Sequence, residues 1–135
     1  MAAGDNIAVT NVTIAKTNTL YSLNAAFTAN AATATAVNAT QTWTFTPTKA
    51  DSKCIMIIRH TGAGGASSYS FAKGVNGMAA PTALVLAPTA ANTYVCQLDG
   101  RYKNAAGSFV VVATPYTGED MLDTNAASVC IIEII

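Results

Sequence analysis

The chain has 135 residues, of which 51% are hydrophobic and 10% are charged, and seven Lys and Arg balance seven Asp and Glu. This length is enough for one domain with its own hydrophobic core, so folding requires no metal or disulfide. Zero net charge without a cluster of cations argues against nucleic acid as a main partner, because phosphate binding needs several aligned Lys or Arg side chains.

Targeting and redox signals favour a protein outside the secretory pathway. The longest apolar runs, residues 54–58 and 129–132, are far shorter than the ~20 residues that span a bilayer, so we expect no membrane partner. No cationic segment leads into an apolar run near the N-terminus, so we expect no signal peptide. The three cysteines, Cys54, Cys96 and Cys130, stand beside apolar residues, which predicts reduced and buried thiols.

The first third of the chain contains two unusual segments. Residues 5–16 favour β structure, but the alternation of apolar side chains changes phase at Asn11, which is typical of a bulge. We interpret residues 1–10 as an N-terminal arm. Residues 24–40 are nearly all Ala, Thr and Asn, and the β-branched and turn-forming residues oppose a helix. We therefore predict a strand end there, followed by a long loop or arm over residues 28–41.

The rest of the chain alternates strand and turn signals. In residues 42–46, Trp43 and Phe45 share one face and three threonines share the other, which predicts a half-buried strand with Trp43 in the core. Tyr69 and Phe71 mark a second half-buried strand. Residues 94–98 mark a third, with Tyr94, Cys96 and Leu98 sharing one face. Four apolar runs predict strands that are central or covered on both faces: residues 53–60, 82–87, 108–114 and 128–135.

Turn signals recur roughly every ten residues between these strands, as in antiparallel sandwiches and barrels. The fold class predicted is all-β: a single-domain antiparallel β-sandwich, jelly-roll-like or Greek-key, over residues 1–135, with an extended N-terminal arm and long loops. The C-terminal run from Val129 to Ile135 is a strand that must be covered. It lies either inside its own sheet or in an interface.

The residues that carry chemistry elsewhere form no catalytic pattern. His60 is the only histidine, and Cys54 is six residues away, about 20 Å along a strand, which is too far for a Cys–His pair. We expect His60 to be a solvated or edge residue and residues 62–67 to be a hairpin loop. The chain is therefore predicted to be no enzyme, with no cofactor, no metal and no small-molecule substrate.

Two polar spots are candidates for contacts. Glu119, Asp120 and Asp123 form the one acidic cluster, but their spacing matches no calcium loop, so we expect residues 115–125 to be an exposed, solvated loop. Residues 101–103 form the densest basic spot. They are either a turn that orients Tyr102 onto the sandwich or a polar contact with another chain.

The surface composition favours permanent assembly. A nearly neutral surface rich in 27 Ala, 19 Thr and 10 Asn packs against another protein at little desolvation cost. Residues 1–10, 28–41 and 115–127 are the candidate contact segments. The individual interface candidates are Asp5, Asn6, Ile7, Arg101, Tyr102, Lys103, Glu119, Asp120, Ile134 and Ile135.

The second half of the chain resembles a known family. It has a Gly-Val-Asn-Gly turn at residues 74–77 and a polar Arg-Tyr-Lys-Asn turn at 101–104 before a Val-rich strand. In this order of strands and turns it is similar to small structural proteins of tailed bacteriophages, in particular β-sandwich head decoration, or cement, proteins. The resemblance implies a virion protein that is made in the host cytoplasm without a signal peptide and then stabilises the assembled head lattice. The implied partners are the major capsid protein and copies of itself, with a trimer as one arrangement.

Two alternatives stay open. The first is a phage tail tube, neck or fibre subunit, which the sequence does not separate from a head protein. The second is a carbohydrate-binding module, because exposed aromatic rings on a sandwich can stack on sugars. The rings available for that function are Trp43, Tyr21, Tyr69, Tyr102 and Tyr116.

Overall fold

The computed structural model describes residues 6–48, 53–62, 68–72, 83–88, 92–123 and 125–134. Within these ranges the chain forms nine strands, one short helix and one 3-10 turn. In chain order they are β1 (Asn6–Ala8), β2 (Val12–Ile14), α1 (Asn24–Ala29), β3 (Gln41–Phe45), β4 (Lys53–His60), β5 (Ser68–Phe71), β6 (Leu84–Leu86), β7 (Thr93–Leu98), the turn Gly100–Tyr102, β8 (Phe109–Thr114) and β9 (Ala127–Ile134). The protein is therefore mostly β, as predicted.

The strands form two mixed sheets with a sandwich-like arrangement. The five-stranded sheet has the order β1-β3-β8-β5-β6, and the four-stranded sheet has the order β2-β9-β4-β7. The prediction of purely antiparallel sheets is wrong, because β1 pairs parallel with β3 and β2 pairs parallel with β9. The other described pairs are antiparallel.

The N-terminal strands belong to both sheets. The chain leaves the five-stranded sheet after Ala8 and enters the four-stranded sheet at Val12. This change of sheet explains the change of apolar phase at Asn11, where the sequence predicts a bulge. Ile7 and Val9 pack against the core. Residues 6–10 are therefore part of the sandwich, whereas the sequence predicts an arm.

The core follows the alternation seen in the sequence. In β3, Gln41, Trp43 and Phe45 are buried, and Thr42 and Thr44 are half-buried. Trp43 stacks on Tyr69 of β5 with ring centroids 5.9 Å apart. The predicted core position of Trp43 is confirmed, because large apolar groups at alternate positions of a strand all face the opposite sheet.

The C-terminal strand lies inside its own sheet, which decides between the two alternatives left by the sequence. β9 lies between β2 and β4. Its outer face is covered too, because Cys130 is fully buried and forms a small cluster with Ala26 and Phe27 of α1. The continuous apolar run of β9 is therefore explained by burial on both faces.

Helix α1 corrects the predicted strand end at residues 24–40. Asn24–Ala29 is helical, and Ala26 and Phe27 are its buried residues. Alanine has the highest intrinsic helix propensity, and burial of Phe27 against β9 outweighs the opposing Thr and Asn residues. The following residues run as a loop that lies on the sandwich, with Asn30, Ala32 and Ala34 buried.

The sequence predicts that the strand at residues 82–87 is central or covered on both faces. In the structure this strand, β6, lies at a sheet edge. β6 pairs only with β5 among the described strands, and Val85 is 60% exposed. The apolar run predicts burial of both faces of the strand, but within β6 only Leu84 and Leu86 face the core. The strand at residues 94–98 is also partly corrected, since Leu98 is buried but Tyr94 is 38% exposed.

The cysteines are thiols outside any disulfide, as predicted. Cys54 and Cys130 are buried, and Cys96 is half-buried. Desolvation by burial raises the pKa of all three thiols, because a thiolate loses its hydration inside the protein. These cysteines therefore act as small apolar core residues.

Candidate interaction surface

Two of the candidate contact segments meet at one end of the sandwich, where β3 and β9 begin and β4 and β8 end. The backbone N–H of Asn38 donates to the carbonyl oxygen of Glu119 at 2.8 Å. The Asn38 side-chain oxygen in turn accepts a hydrogen bond from the N–H of Gly118 at 2.8 Å. These bonds join residues 36–38 to residues 116–119, and we call the joined surface the loop end.

The loop end presents two large apolar side chains to solvent. Val37 is 49% exposed and Tyr116 is 59% exposed. Both stand next to residues of the hydrogen-bonded junction. Asn38 and Gly118 have φ angles of 64° and 87°, a left-handed conformation that Gly and Asn adopt more easily than other residues. The turn chemistry therefore fixes how the two loops meet.

Buried polar side chains hold these loops from the inside. The Gln41 side-chain oxygen accepts hydrogen bonds from the backbone N–H groups of Thr33 and Ala34 at 2.8 and 3.0 Å. Gln41 itself is fully buried. A buried amide that bonds to a loop backbone specifies one conformation, because losing the bonds would leave polar groups unsatisfied.

The loop that contains the acidic cluster is less exposed than predicted. Pro115, Asp120, Met121 and Asn125 are buried, whereas residues 116–118 are exposed. The Asp120 carboxylate accepts a hydrogen bond from the N–H of Asp123, and its carbonyl oxygen accepts one from the Asn125 side chain. Asp120 is thus a structural residue of the turn, and the prediction of a solvated position is wrong. The local backbone supplies the partners that water was expected to supply.

The side chain and carbonyl group of Asn30 connect the loop after α1 to both sheets. This residue was not identified from the sequence. Its side-chain oxygen accepts from the N–H of Thr10, and its side-chain NH₂ donates to the carbonyl oxygens of Thr10 and Val129. Its own carbonyl oxygen accepts from the Trp43 indole N–H at 2.8 Å. The one available signal was a polar residue between apolar alanines, which does not distinguish a buried Asn from a loop Asn.

A shallow cleft of about 270 Å³ lies beside the loop end, on the outer face of the four-stranded sheet. The Arg59 guanidinium lies over the Phe27 ring, 4.0 Å from its centroid. Such a contact keeps a cation near an apolar surface at low desolvation cost. The contact therefore places the Arg59 side chain against α1 at the wall of the cleft.

His60 is a core residue, and the prediction of a solvated or edge position is wrong. It is 2% exposed, and its Nε2 lies 2.7 Å from the Tyr69 hydroxyl. The two rings also stack, with centroids 5.7 Å apart. His60 occupies an inward position of the central strand β4, opposite Ala127 of β9. Burial raises the pKa of Tyr69 far above its usual range, so the Tyr69 hydroxyl stays protonated and its contact with His60 links the two sheets.

Other interface candidates lie at the opposite end of the sandwich. Arg101 forms an ion pair with Asp99 at 2.9 Å, and the side-chain hydrogen bond from Arg101 lowers the pKa of Asp99. Tyr102 packs against the core, as the turn interpretation predicts. Lys103 lies over the Phe109 ring at 5.5 Å, and Ile134 is 39% exposed. These residues do not join the loop end.

Of the N-terminal interface candidates, the structure describes Asn6 and Ile7. Asn6 is exposed and accepts a hydrogen bond from the Thr44 hydroxyl at 2.8 Å. It begins β1 next to Thr42, so it lies at the same end of the sandwich as Glu119. Ile7 is half-buried against the core. Asp5 and Ile135 lie outside the described residues.

A second apolar surface lies along one side of the sandwich. The edge strands β6 and β7 of the two sheets border a groove of about 190 Å³. We call it the open side. Its lining residues are Ile58, Leu86, Ala87, Pro88, Tyr94, Val95 and Cys96. On the other side of the sandwich, the continuous chain from β1 to β2 closes the gap between the sheets.

The described residues show few features of other site classes. Trp43 and Tyr69 lie in the core, so they are not available to stack on sugars. Within the described ranges, no group of three or more His, Cys, Asp or Glu could hold a metal ion. We also find no helix there with the length and apolar character needed to span a bilayer.

Comparisons with known proteins give no match: no family model, curated protein or solved structure resembles this chain at a significant level.

Proposed function

We propose that the protein is a non-enzymatic structural component of a tailed-bacteriophage virion, a decoration protein that binds the assembled head lattice. The loop end is the proposed contact surface. The observation that carries the proposal is the junction of residues 36–38 with residues 116–119, which presents Val37 and Tyr116 on a fixed backbone. The partner is the major capsid protein, and the site of action is the virion.

The proposed mechanism is stabilisation by selective binding. A protein that binds the assembled lattice but not its separate subunits shifts the equilibrium towards assembly by mass action. The neutral chain has little charge to desolvate on binding. The hydrogen bonds at Asn38 also order the loops before binding, which lowers the entropy cost of association.

The proposal includes a finer description of the fold. β7, β8 and β9 follow one another in the chain but alternate between the two sheets. Connections that cross between sheets are typical of Greek-key sandwiches. We infer a Greek-key sandwich from this order, one of the two topologies that the spacing of strands and turns in the sequence favours.

The test is co-sedimentation with purified heads of the phage that encodes the chain. We expect the protein to sediment with heads, and we expect the double variant Val37→Asp with Tyr116→Asp to stay in the supernatant, because two charges would be buried at the contact. Leu20→Asp is the matched control, since Leu20 is fully exposed outside the loop end. It should bind like the parent.

Three results would contradict the head proposal. The protein would remain soluble in the presence of heads, the double variant would bind as well as the parent, or binding would occur only to purified tails. The last result would favour the tail, neck or fibre alternative. Circular dichroism of each variant checks that the fold is retained.

A further inference from the structure

Strand β7 is the longest edge strand that the structure describes. It has six residues, whereas the other edge strands β1, β2 and β6 have three each. β7 pairs with β4 on one side, and no described strand pairs with its other side. A long edge presents a row of backbone donors and acceptors that can pair with another chain.

The register identifies which backbone groups point outwards. The N–H of His60 donates to the carbonyl oxygen of Asn92 at 3.1 Å, so these two residues form a hydrogen-bonded pair in the β4–β7 ladder. Along an antiparallel ladder, hydrogen-bonded residue pairs alternate with pairs that exchange no backbone hydrogen bonds. The backbone groups of Thr93, Val95 and Gln97 therefore point away from β4, towards the outer edge.

Strand β7 itself lacks three of the features that prevent pairing in monomeric proteins. Such edges usually carry a lysine, a proline or a bulge. β7 has the sequence Thr-Tyr-Val-Cys-Gln-Leu, without a charge or a proline, and its register with β4 is continuous over six residue pairs. Val95, at the centre of the outward set, is 67% exposed.

We propose that two copies of the chain form a two-fold dimer by antiparallel pairing of their β7 strands. Val95 lies opposite Val95 of the second copy, and Thr93 lies opposite Gln97. Each of the three outward residues then exchanges two backbone hydrogen bonds, about six in total. The pairing joins the two four-stranded sheets into one continuous eight-stranded sheet.

A second copy is the occupant for two reasons. An antiparallel edge centred on one residue is complementary to itself under a two-fold axis, so both copies use the same patch. The strand also carries no charge, so two identical edges do not repel each other. The adjacent groove, lined by Leu86 and Pro88, adds apolar surface to the contact. The inference uses residues outside the loop end and does not depend on binding to heads.

The first test is a disulfide across the axis. In a hydrogen-bonded antiparallel pair the Cα atoms are about 5.5 Å apart, which lies within the range that a disulfide spans. We expect Val95→Cys, in a Cys96→Ala background, to form a covalent dimer under mild oxidation. Val85→Cys in the same background is the control, because Val85 is similarly exposed on β6 but lies off the proposed axis. It should stay monomeric on a non-reducing gel.

The second test is the solution mass by light scattering. We expect the parent to have twice the chain mass of 13.8 kDa. Val95→Lys should return the mass to that of the monomer, because it places two like charges opposite each other. Leu20→Lys should remain dimeric. A monomeric or trimeric parent, a dimeric Val95→Lys variant, or equal crosslinking at positions 85 and 95 would overturn the proposal.

Discussion

Asn30 shows how one side chain can hold a loop, a strand crossover and a sheet together. Its amide bonds to Thr10 and Val129, and it is fully buried. The bonds satisfy backbone groups at the place where the chain passes from β1 to β2. A side chain without an amide would leave these groups without protein partners in the interior.

We therefore expect Asn30→Ala to lower the free energy of unfolding by about 2–3 kcal/mol, since each buried polar group left unsatisfied costs about 1–3 kcal/mol. Urea denaturation measures the change. Asn24→Ala is the matched control, because Asn24 is exposed in α1 and should change stability by much less. Equal losses in the two variants would show that Asn30 does not have this role.

The buried Tyr69 hydroxyl predicts a loss of stability in alkaline solution. Burial raises the pKa of Tyr69 above its usual value of 10.0, and it raises the pKa of the Cys54 and Cys130 thiols above 9.0. The unfolded chain releases these protons at the usual values, and the folded protein retains them. The contribution of these three groups to stability is therefore present below their usual pKa values and is lost as the pH rises above 9.0.

Tyr69→Phe separates the contribution of the phenol. The variant loses the hydrogen bond to His60, so it should be less stable than the parent at neutral pH. Above the usual tyrosine pKa, however, its unfolding free energy should fall less steeply than that of the parent. Urea titrations at a series of pH values measure both slopes. Parallel slopes above pH 10.0 would contradict the assignment.

At the scale of elements, a truncation tests whether the first residues are an arm or part of the sandwich. Removing residues 1–8 deletes β1 and the packing of Ile7 on the core. We expect a loss of roughly 2 kcal/mol or more, because an apolar side chain and a strand pairing are both lost. A free arm would give no change. Thermal unfolding followed by circular dichroism distinguishes the two outcomes.

The sequence predicted those elements whose pattern reflects burial by a neighbouring layer. β3 alternates Trp43 and Phe45 with threonines, and β9 is a continuous apolar run, so both were identified correctly. Elements that depend on distant contacts were not. α1 is helical because Phe27 reaches the outer face of β9, and the parallel pairing of β1 and β2 leaves no periodic signal.

The candidate surface was also predicted only in part. Residues 28–41 and 115–127 were identified as contact segments, and Asn38 and Glu119 bring them together. The burial of Asp120 and His60 was missed, because their partners are a turn backbone and a tyrosine nine residues away. Composition indicates how polar a segment is, but it does not show which polar groups satisfy one another.

At the scale of the whole molecule, charges are few, with seven Lys and Arg balancing seven Asp and Glu. Among the described residues, the ion pair between Arg101 and Asp99 is exposed on both partners. Exposed pairs contribute little to stability and are screened by salt. We expect the unfolding free energy to change by less than about 0.5 kcal/mol between low salt and physiological ionic strength. Urea titrations at the two salt concentrations test this, and a larger change would indicate charge pairs that matter for folding.

The parallel pairing of the two N-terminal strands, β1 with β3 and β2 with β9, has a mechanical consequence. β2 and β9 run in the same direction, and so do β1 and β3. A force that pulls on the chain before β1 and after β9 therefore slides β2 lengthwise along β9. The hydrogen bonds of that ladder are loaded together and must break together, whereas strands pulled apart from one end open one bond at a time. Stretching the chain through its ends therefore loads these parallel pairs in shear.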